Sequence, residues 1–559
     1  MGCHVAHRIA PGLKIGNNKT PIGGSDMADV LVVGAGPVGL TLACELARHG
    51  ASVRIIEARE TPSPFCRAIG VTSRTLEVYE DMGIAQPMID AGLWLLGTRF
   101  MVSGQPARDG MQDLADLPYA NLGVPQPETE RLLAAHLSTF GIAVERGVRL
   151  VSFTQEGEKV RADLEGPSGA DFDHVRYVVG CDGAHSTVRR SLGIGFEGDA
   201  FPMMFMLGDV RLTWPEGEAL PRGLALRGVR VTGEDEAPDL FIAIPLPEHG
   251  RYRVSMMAPD AVSAQPADAV AHGIQSERPG PELADIQAVA DRVMPHPPIA
   301  SELRWSSQFR ISMRLAQHYR VDNAFIAGDA AHIHPPTGGQ GMNTGIQDAY
   351  NLAWKMALVL KGIAAPNLLD SYEAERRPVA EGVIAQTVEE SINLGRAKKP
   401  VDRLAHTQIR VNYRGSAIVD GAAPGEDALQ PGDRAPDAAG LRRRGVGFPL
   451  RLFDLLRGAE HVLLCGVEDA AAVTALEADA RDLKALGLPL RVVAVAPAGS
   501  DIPDPVGVTL VSDDGGEFAK LYGAGASLVR PDKYLAWRGV PYDVAALRAF
   551  LARTLGLKG

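Results

Sequence analysis

Residues 29–57 constrain the fold more tightly than any other part of this chain. Asp29-Val30-Leu31-Val32-Val33 is an apolar run, as expected of a strand buried on both faces of a parallel sheet. Gly34-Ala35-Gly36-Pro37-Val38-Gly39 follows at once. Leu40 to His49 then reads as a helix ended by Gly50, and Ser52 to Glu57 as a second strand. In such a βαβ unit the first glycine permits the tight turn and the second lets backbone approach a pyrophosphate. The third lets helix and strand pack closely. The helix N-terminus offers N–H groups and partial positive charge to phosphates. Glu57 closes the second strand, where a carboxylate accepts hydrogen bonds from ribose hydroxyls and repels a 2′-phosphate, which argues against resident NADP. The motif by itself serves FAD and NAD equally.

The chain has 559 residues, too many for one ordinary core, so two or three domains are expected. Its formal net charge of -12 argues against a nucleic-acid partner, whose phosphates need a basic footprint. The 5 cysteines (Cys3, Cys44, Cys66, Cys181 and Cys465) are scattered without CxxC spacing. They suggest neither a disulfide framework nor a metal site, and read as reduced thiols of a cytoplasmic protein. No uncharged apolar run approaches the roughly 20 residues of a membrane span. Residues 1–27 lack the apolar core of a secretory signal and read as a disordered extension, or as the product of an upstream start codon.

The middle of the chain is strand-rich. Met203 to Val210, Leu240 to Pro245 and Tyr252 to Met257 suggest a sheet, taken as 201–303, inserted between two parts of a nucleotide domain, 28–200 and 304–400. Val321 to Ala327 reads as a strand, and Ile346 to Leu360 and Leu368 to Asn393 as helices. The stretch 401–431 reads as a linker, the Pro-, Gly- and Asp-rich composition beginning at Ala422. Beyond it, His461 to Val467 and Leu490 to Ala496 read as strands flanking a helix from Ala470 to Leu486. A hairpin, Ser527 to Arg530 with Tyr534 to Trp537, and a closing helix, Tyr542 to Leu555, complete a small α/β domain at 432–559.

Two further motifs stand out. Tyr177-Val178-Val179-Gly180-Cys181-Asp182-Gly183-Ala184-His185-Ser186 is a strand running into an Asp-Gly turn, with Ser186 placed to cap a helix. Ala327-Gly328-Asp329-Ala330-Ala331-His332 ends a strand at an acid. The loop Pro335-Pro336-Thr337-Gly338-Gly339-Gln340-Gly341-Met342-Asn343 follows and can present N–H groups to an anionic ring edge. His332 and His334 read as loop histidines, because no carboxylate at metal-site spacing accompanies them.

Gly34–Gly39, Cys181–Ser186 and Gly328–His332, in this order and at these separations, resemble the group A flavoprotein monooxygenases, the phenol and polyketide hydroxylase branch. The likeness extends from about Ala28 to the chain end, where Val529-Arg530-Pro531-Asp532-Lys533-Tyr534 resembles the terminal hairpin of that branch. It implies an α/β fold: a Rossmann-like FAD-binding domain with an inserted substrate-binding β-sheet, and a C-terminal thioredoxin-like domain. It also implies hydroxylation of a small phenol-like or polycyclic aromatic substrate through a flavin C4a-hydroperoxide, using O2 and transiently docked NAD(P)H.

Carried over by position, the resemblance gives FAD contacts to Gly34, Gly36, Pro37, Gly39, Glu57, Ala58, Arg67, Gln126, Asp182, Gly183, Gly328, Asp329, Pro336, Gly339, Gly341, Met342 and Asn343. Glu57 serves the adenosine ribose, Arg67 the pyrophosphate, Gln126 the flavin side chain and Asp329 the ribityl hydroxyls. Asp182 serves both FAD and the NAD(P)H path, and Gly338 to Met342 the pyrimidine edge. Two positions depart from the family. Lys533 replaces a glycine, which leaves the turn type open. Ile69 stands where phenol hydroxylases carry an aspartate, so no substrate-activating base is placed; His249, Arg251 and Tyr252 are candidates. With only Cys465 in the tail, dithiol chemistry is excluded there. The tail must still be covered, by the flavin domain or by the second subunit of a homodimer. A halogenase, a flavin reductase and a non-catalytic FAD-binding scaffold are the rival readings. The 5 tryptophans form none of the Trp-x-Trp pairs usual in flavin halogenases.

Overall fold

A computed structural model describes residues 28–64, 66, 68–103, 105–230, 239–258, 280–335, 337–392, 402–421, 425 and 428–557. The expected extension 1–27 and the expected cofactor contacts Arg67 and Pro336 lie outside the described residues.

The Val30–Val33 strand is wholly buried and pairs in parallel with Val53–Glu57 on one side and Tyr177–Gly180 on the other. The Ala324–Ile326 strand continues the sheet in parallel beside Tyr177–Gly180. All three sequence motifs therefore leave adjacent strands at the same, C-terminal edge, which is where open parallel sheets bind ligands. The Pro37–Arg48 helix packs over this sheet, and proline stands at its first turn, where its missing N–H costs nothing. The Gly341–Leu360 helix is buried on nearly every side, as its content of Ile346, Leu352, Trp354 and Met356 requires.

A seven-stranded sheet stands against this domain, in the order Ile299–Ser312, Ala200–Thr213, Arg251–Met257, Asp239–Pro245, Leu224–Arg230, Gly97–Val102, Arg108–Met111. It reaches beyond the expected 201–303 at both ends. Gly97–Val102 joins through parallel pairing with Leu224–Arg230, a partner more than a hundred residues away that local pattern cannot reveal. The alternation of each strand divides the sheet into two faces. Val254, Met256, Phe241 and Ala243 pack on the Leu283–Val293 helix. Phe205, Leu207, Leu240 and Ile242 face the first domain.

The C-terminal domain is a mixed seven-stranded sheet centred on His461–Gly466, with Leu490–Pro497 and Thr509–Asp513 parallel to it on one side; on the other side Ala526–Val529 is antiparallel to it and pairs antiparallel with Leu535–Gly539. Its covering comes from the first domain. The Arg530–Lys533 turn inserts there: Arg74 donates to the Asp532 carbonyl at 2.8 Å and the Tyr350 hydroxyl to the Pro531 carbonyl at 3.1 Å. Lys533 holds φ at 66°, a left-handed conformation that favours glycine, and its ammonium group pairs with Asp81 at 2.9 Å. Part of the stretch read as a linker is packed as well. Tyr413 lies 4.2 Å from Tyr534 between ring centroids, and Gln408 is buried against Gln340, Thr344 and Gln347.

Arg530 is the anchor of the insertion. Its guanidinium group contacts Glu375 at 2.6 Å and Asp532 at 2.5 Å, while Lys355 reaches Glu375 at 2.7 Å, all of them buried. Burial would raise the Glu375 carboxyl, but Arg530 and Lys355 hold it well below the usual carboxylate range. Arg530→Met leaves two buried carboxylates beside one lysine and is expected to cost about 3–5 kcal/mol in urea unfolding; a loss under about 1 kcal/mol contradicts the assignment. Cys465 is buried in the central strand, and burial raises its thiol well above the ordinary range. Cys465→Ala should leave FAD content and turnover unchanged, and lost turnover with full FAD would show a chemical role for the tail.

Candidate active site

A cavity of about 1440 Å³ runs from the C-terminal edge of the parallel sheet to the inner face of the seven-stranded sheet. It is larger than the roughly 300–1,000 Å³ of ordinary ligand pockets. Its walls include Gly34, Gly36, Pro37, Glu57, Ala58, Gln126, Asp182, Gly183, Asp329, Gly339, Gly341 and Met342. Three segments separated by more than a hundred residues each thus meet around one space.

The glycine motif has the expected division of labour. Gly34 has φ of 101°, and a Cβ there would lie 2.5 Å from the Cys181 carbonyl oxygen. At Gly39 a Cβ would lie 2.0 Å from the Gly34 carbonyl oxygen. Nothing approaches the Cβ position of Gly36 within 4 Å, so this glycine opens backbone to the cavity. Gly39 and Gly328 support the wall through close packing and do not line it; a Cβ on Gly328 would meet Val38 at 2.9 Å.

Glu57 accepts from Ala35 N at 2.9 Å and from Arg59 N at 3.1 Å, which fixes its carboxylate beside the glycine loop. One oxygen of Asp182 accepts from Thr187 N at 2.6 Å and Val188 N at 3.3 Å and so secures the short Thr187–Ser191 helix, which Ser186 caps as expected. The other, Oδ1, is buried without a hydrogen-bond partner on a cavity wall. Burial pushes the Asp182 carboxyl up from its ordinary value. Gln126 is oriented at both ends, accepting from Ala68 N at 3.1 Å and donating to Glu130 at 2.8 Å.

The Gly328–Ala330 turn, which carries Asp329, is held from behind. Asp348 accepts from Gly328 N at 3.1 Å, from His332 Nε2 at 2.6 Å and from Arg376 at 2.8 Å. Burial alone would raise the Asp348 carboxyl, but the charges of His332 and Arg376 lower it. His332 is thereby a structural partner of an acid. His334 lines the cavity, and burial lowers its imidazole to about 4. No group of three metal-ligating side chains exists among the described residues.

Asn343 differs from expectation. Its side chain accepts from Thr72 N at 3.0 Å and donates to the carbonyls of Gly70 and Gly339 at 2.8 Å each. It is wholly buried and ties the Gly338–Gly339 loop to the strand opposite, so its side chain is a clamp of the cavity wall.

None of the three candidate bases lines the cavity. Tyr252 faces the far side of its sheet, with its ring 6.1 Å from Trp214. Arg251 is spent on Glu302, which it meets at 3.1 Å, and His249 sits in an exposed turn. The cavity instead receives Arg253, two residues on, together with Arg227, Gln386, Glu390, Asp402 and His406. Arg253 is 3% exposed, lies 4.6 Å from the Trp305 ring, and has Nε and Nη2 without hydrogen-bond partners. An arginine inside an apolar alternation was the available signal for Arg227 and Arg253. Nothing in the local sequence marks Glu390 or His406.

Comparison with known proteins accords with this geometry. Residues 27–387 match the FAD binding domain family, and residues 429–557 match the family described as aromatic-ring hydroxylase, C-terminal. The chain is 32% identical over 526 residues to a 12-dehydrotetracycline 5-monooxygenase/anhydrotetracycline 6-monooxygenase of Streptomyces rimosus, covering 92% of this chain and 95% of that protein. It is 32% identical over 546 residues to the pentachlorophenol 4-monooxygenase of Sphingobium chlorophenolicum, covering 92% and 94%. Among solved structures, aklavinone-11 hydroxylase in complex with FAD and aklavinone superposes with a TM-score of 0.76 at 28% identity over 95% of this chain and 99% of that one. Matched in both its domains and along almost its whole length, the chain belongs to the FAD-dependent aromatic-ring monooxygenases.

Proposed function

We propose that this monooxygenase hydroxylates a phenolic, polycyclic aromatic substrate in the part of the cavity floored by the seven-stranded sheet, with NAD(P)H docking transiently as reductant. The carrying observation is the continuity of the cavity. One end has the Gly34–Gly39 turn, Glu57 and Asp182; the other has Phe205, Leu207, Leu240 and Ile242. A dinucleotide and a flat apolar ring can lie end to end in that space.

The chain's residues fit FAD. Gly36 leaves room for a pyrophosphate at the start of the Pro37–Arg48 helix, where backbone N–H groups and the helix dipole favour negative charge. Glu57 retains lone pairs for ribose hydroxyls, and the buried Asp182 Oδ1 awaits a donor. Asp329 would hold the ribityl hydroxyls, and the Gly339–Met342 backbone would meet the ring edge, both from the cavity wall.

Bound FAD supplies the two-electron redox chemistry and the activation of O2. The protein supplies place and exclusion of water. The apolar strand faces keep solvent from the reacting ring. Arg253 turns unpaired N–H groups toward this space and orients an oxygen of the substrate by a charge-assisted hydrogen bond.

The purified protein should be yellow and release FAD on denaturation. With NADPH or NADH and a panel of polycyclic phenols it should form products heavier by one oxygen atom. A colourless protein that FAD cannot reconstitute would refute the proposal. Asp329→Ala should weaken FAD by about 1.5–3 kcal/mol, measured by flavin fluorescence titration, because a charge-assisted bond to the ribityl chain is lost. Asp182→Ala should weaken FAD less but lower thermal stability, because it also removes the acceptor for Thr187 N and Val188 N. Equal FAD affinity in wild type and Asp329→Ala would sink this assignment.

A further inference from the structure

Resting on the reading of a phenolic substrate, we infer that His406, held by Glu390, is the base that takes the substrate's phenolic proton. Both residues line the end of the cavity that the seven-stranded sheet floors. His406 Nε2 lies 2.9 Å from Glu390 Oε1, and Gln386 Nε2 donates to the same oxygen at 2.9 Å. Burial would raise the Glu390 carboxyl, but the His406 and Gln386 hydrogen bonds and the charges of His406 and Arg227 bring it below its ordinary value. A carboxylate that accepts from Nε2–H fixes the tautomer with its lone pair on Nδ1. Nδ1 has no hydrogen bond among the described residues.

The ring is also positioned by the loop assigned to the flavin's pyrimidine edge. A Cβ on Gly338 would lie 2.9 Å from His406 Cδ2 and 3.0 Å from Nε2, so the Cδ2–Nε2 edge rests on Gly338 and the Nδ1 edge lies on the other side. The dyad therefore spans from the Asp370–Ile392 helix to the Gly338–Gly339 loop. The side-chain exposures of 30% for His406 and 26% for Glu390 match a base that a substrate can reach and that returns its proton to water.

The proton step balances simply. The phenolic O–H bond breaks, its electron pair stays on oxygen, and an Nδ1–H bond forms. The imidazolium is stabilised by the Glu390 carboxylate on its opposite nitrogen, and the phenolate is richer in electrons at its ortho and para carbons. The other charged groups lining this end of the cavity are Arg227 from the Leu224–Arg230 strand, Arg253 from the Arg251–Met257 strand, Glu389 from the helix and Asp402 from the segment that carries His406. Asp402 is paired with Arg410. His406 is thus a catalytic residue and Glu390 a positioning residue.

The test uses FAD-loaded enzyme and quinizarin, a polycyclic phenol whose neutral and ionised forms differ in colour. Wild type should lower the apparent pKa of the bound dye by about one unit or more relative to the free dye. His406→Gln with unchanged flavin content should abolish that shift. It should also slow hydroxylation roughly 100-fold near neutral pH, with recovery at a pH where the free phenol ionises unaided. Glu390→Gln should give a reduced shift. An unchanged dye pKa in His406→Gln, or a deficit independent of pH, overturns the inference. If His406→Gln fails to hold FAD, Glu390→Gln decides: a wild-type shift there overturns it and a smaller one supports it. A wild-type protein that holds no FAD is a different failure, that of the parent reading.

Discussion

Buried charge on one turn of a helix ties this molecule together. Glu375 and Arg376 are neighbours in the chain, and both are fully buried. Glu375 binds Arg530 and Lys355 and so grips the C-terminal hairpin. Arg376 binds Asp348, and Asp348 holds Gly328 N and His332 behind the turn that presents Asp329. Charges removed from water persist only where every one is paired. The ion network therefore admits one seating of the tail and one seating of the Gly328–Ala330 turn, and the Asp370–Ile392 helix couples them.

The same helix runs on to the end of the cavity that the seven-stranded sheet floors, where Glu390 meets Gln386 and His406. The Gly328–Ala330 turn, the tail and this end of the cavity thus share one helix. This accounts for a C-terminal domain without dithiol chemistry. The Arg530–Lys533 turn completes the packing around the two long helices, and Lys533 accepts a left-handed φ because its ammonium group is held by Asp81.

The parallel βαβ unit, its three glycine roles, Glu57 and the two later motifs were legible in the sequence because each depends on local geometry. A turn that needs positive φ or backbone contact restricts residue type wherever the rest of the chain lies. The strands of the inserted sheet were legible as strands, but their faces were not. His249, Arg251 and Tyr252 were the candidates, but Arg253 is the residue on the cavity wall: it opposes Asp209 and Ile244, Tyr252 turns to Trp214 on the other face, and Arg251, on the same face but farther along the strand, is taken by Glu302. The side chain of Asn343 ties the Gly338–Gly339 loop to the Gly70–Val71 strand, a role set by Thr72 and Gly70 some 270 residues away.

By itself, the sequence determined a nucleotide-binding sheet and an α/β tail, because short-range backbone constraints and strand periodicity carry that information; FAD as the cofactor followed only from the resemblance of three motifs taken in order. Tertiary structure alone decided which side chains meet at the end of the cavity that the seven-stranded sheet floors. Arg253, Arg227, Glu390 and His406 come from two strands, the end of a helix and a segment read as linker. Their meeting depends on sheet register and on where the Asp370–Ile392 helix is pinned. Neither leaves a local pattern, because a side chain's role in a cavity is set by neighbours distant in the chain.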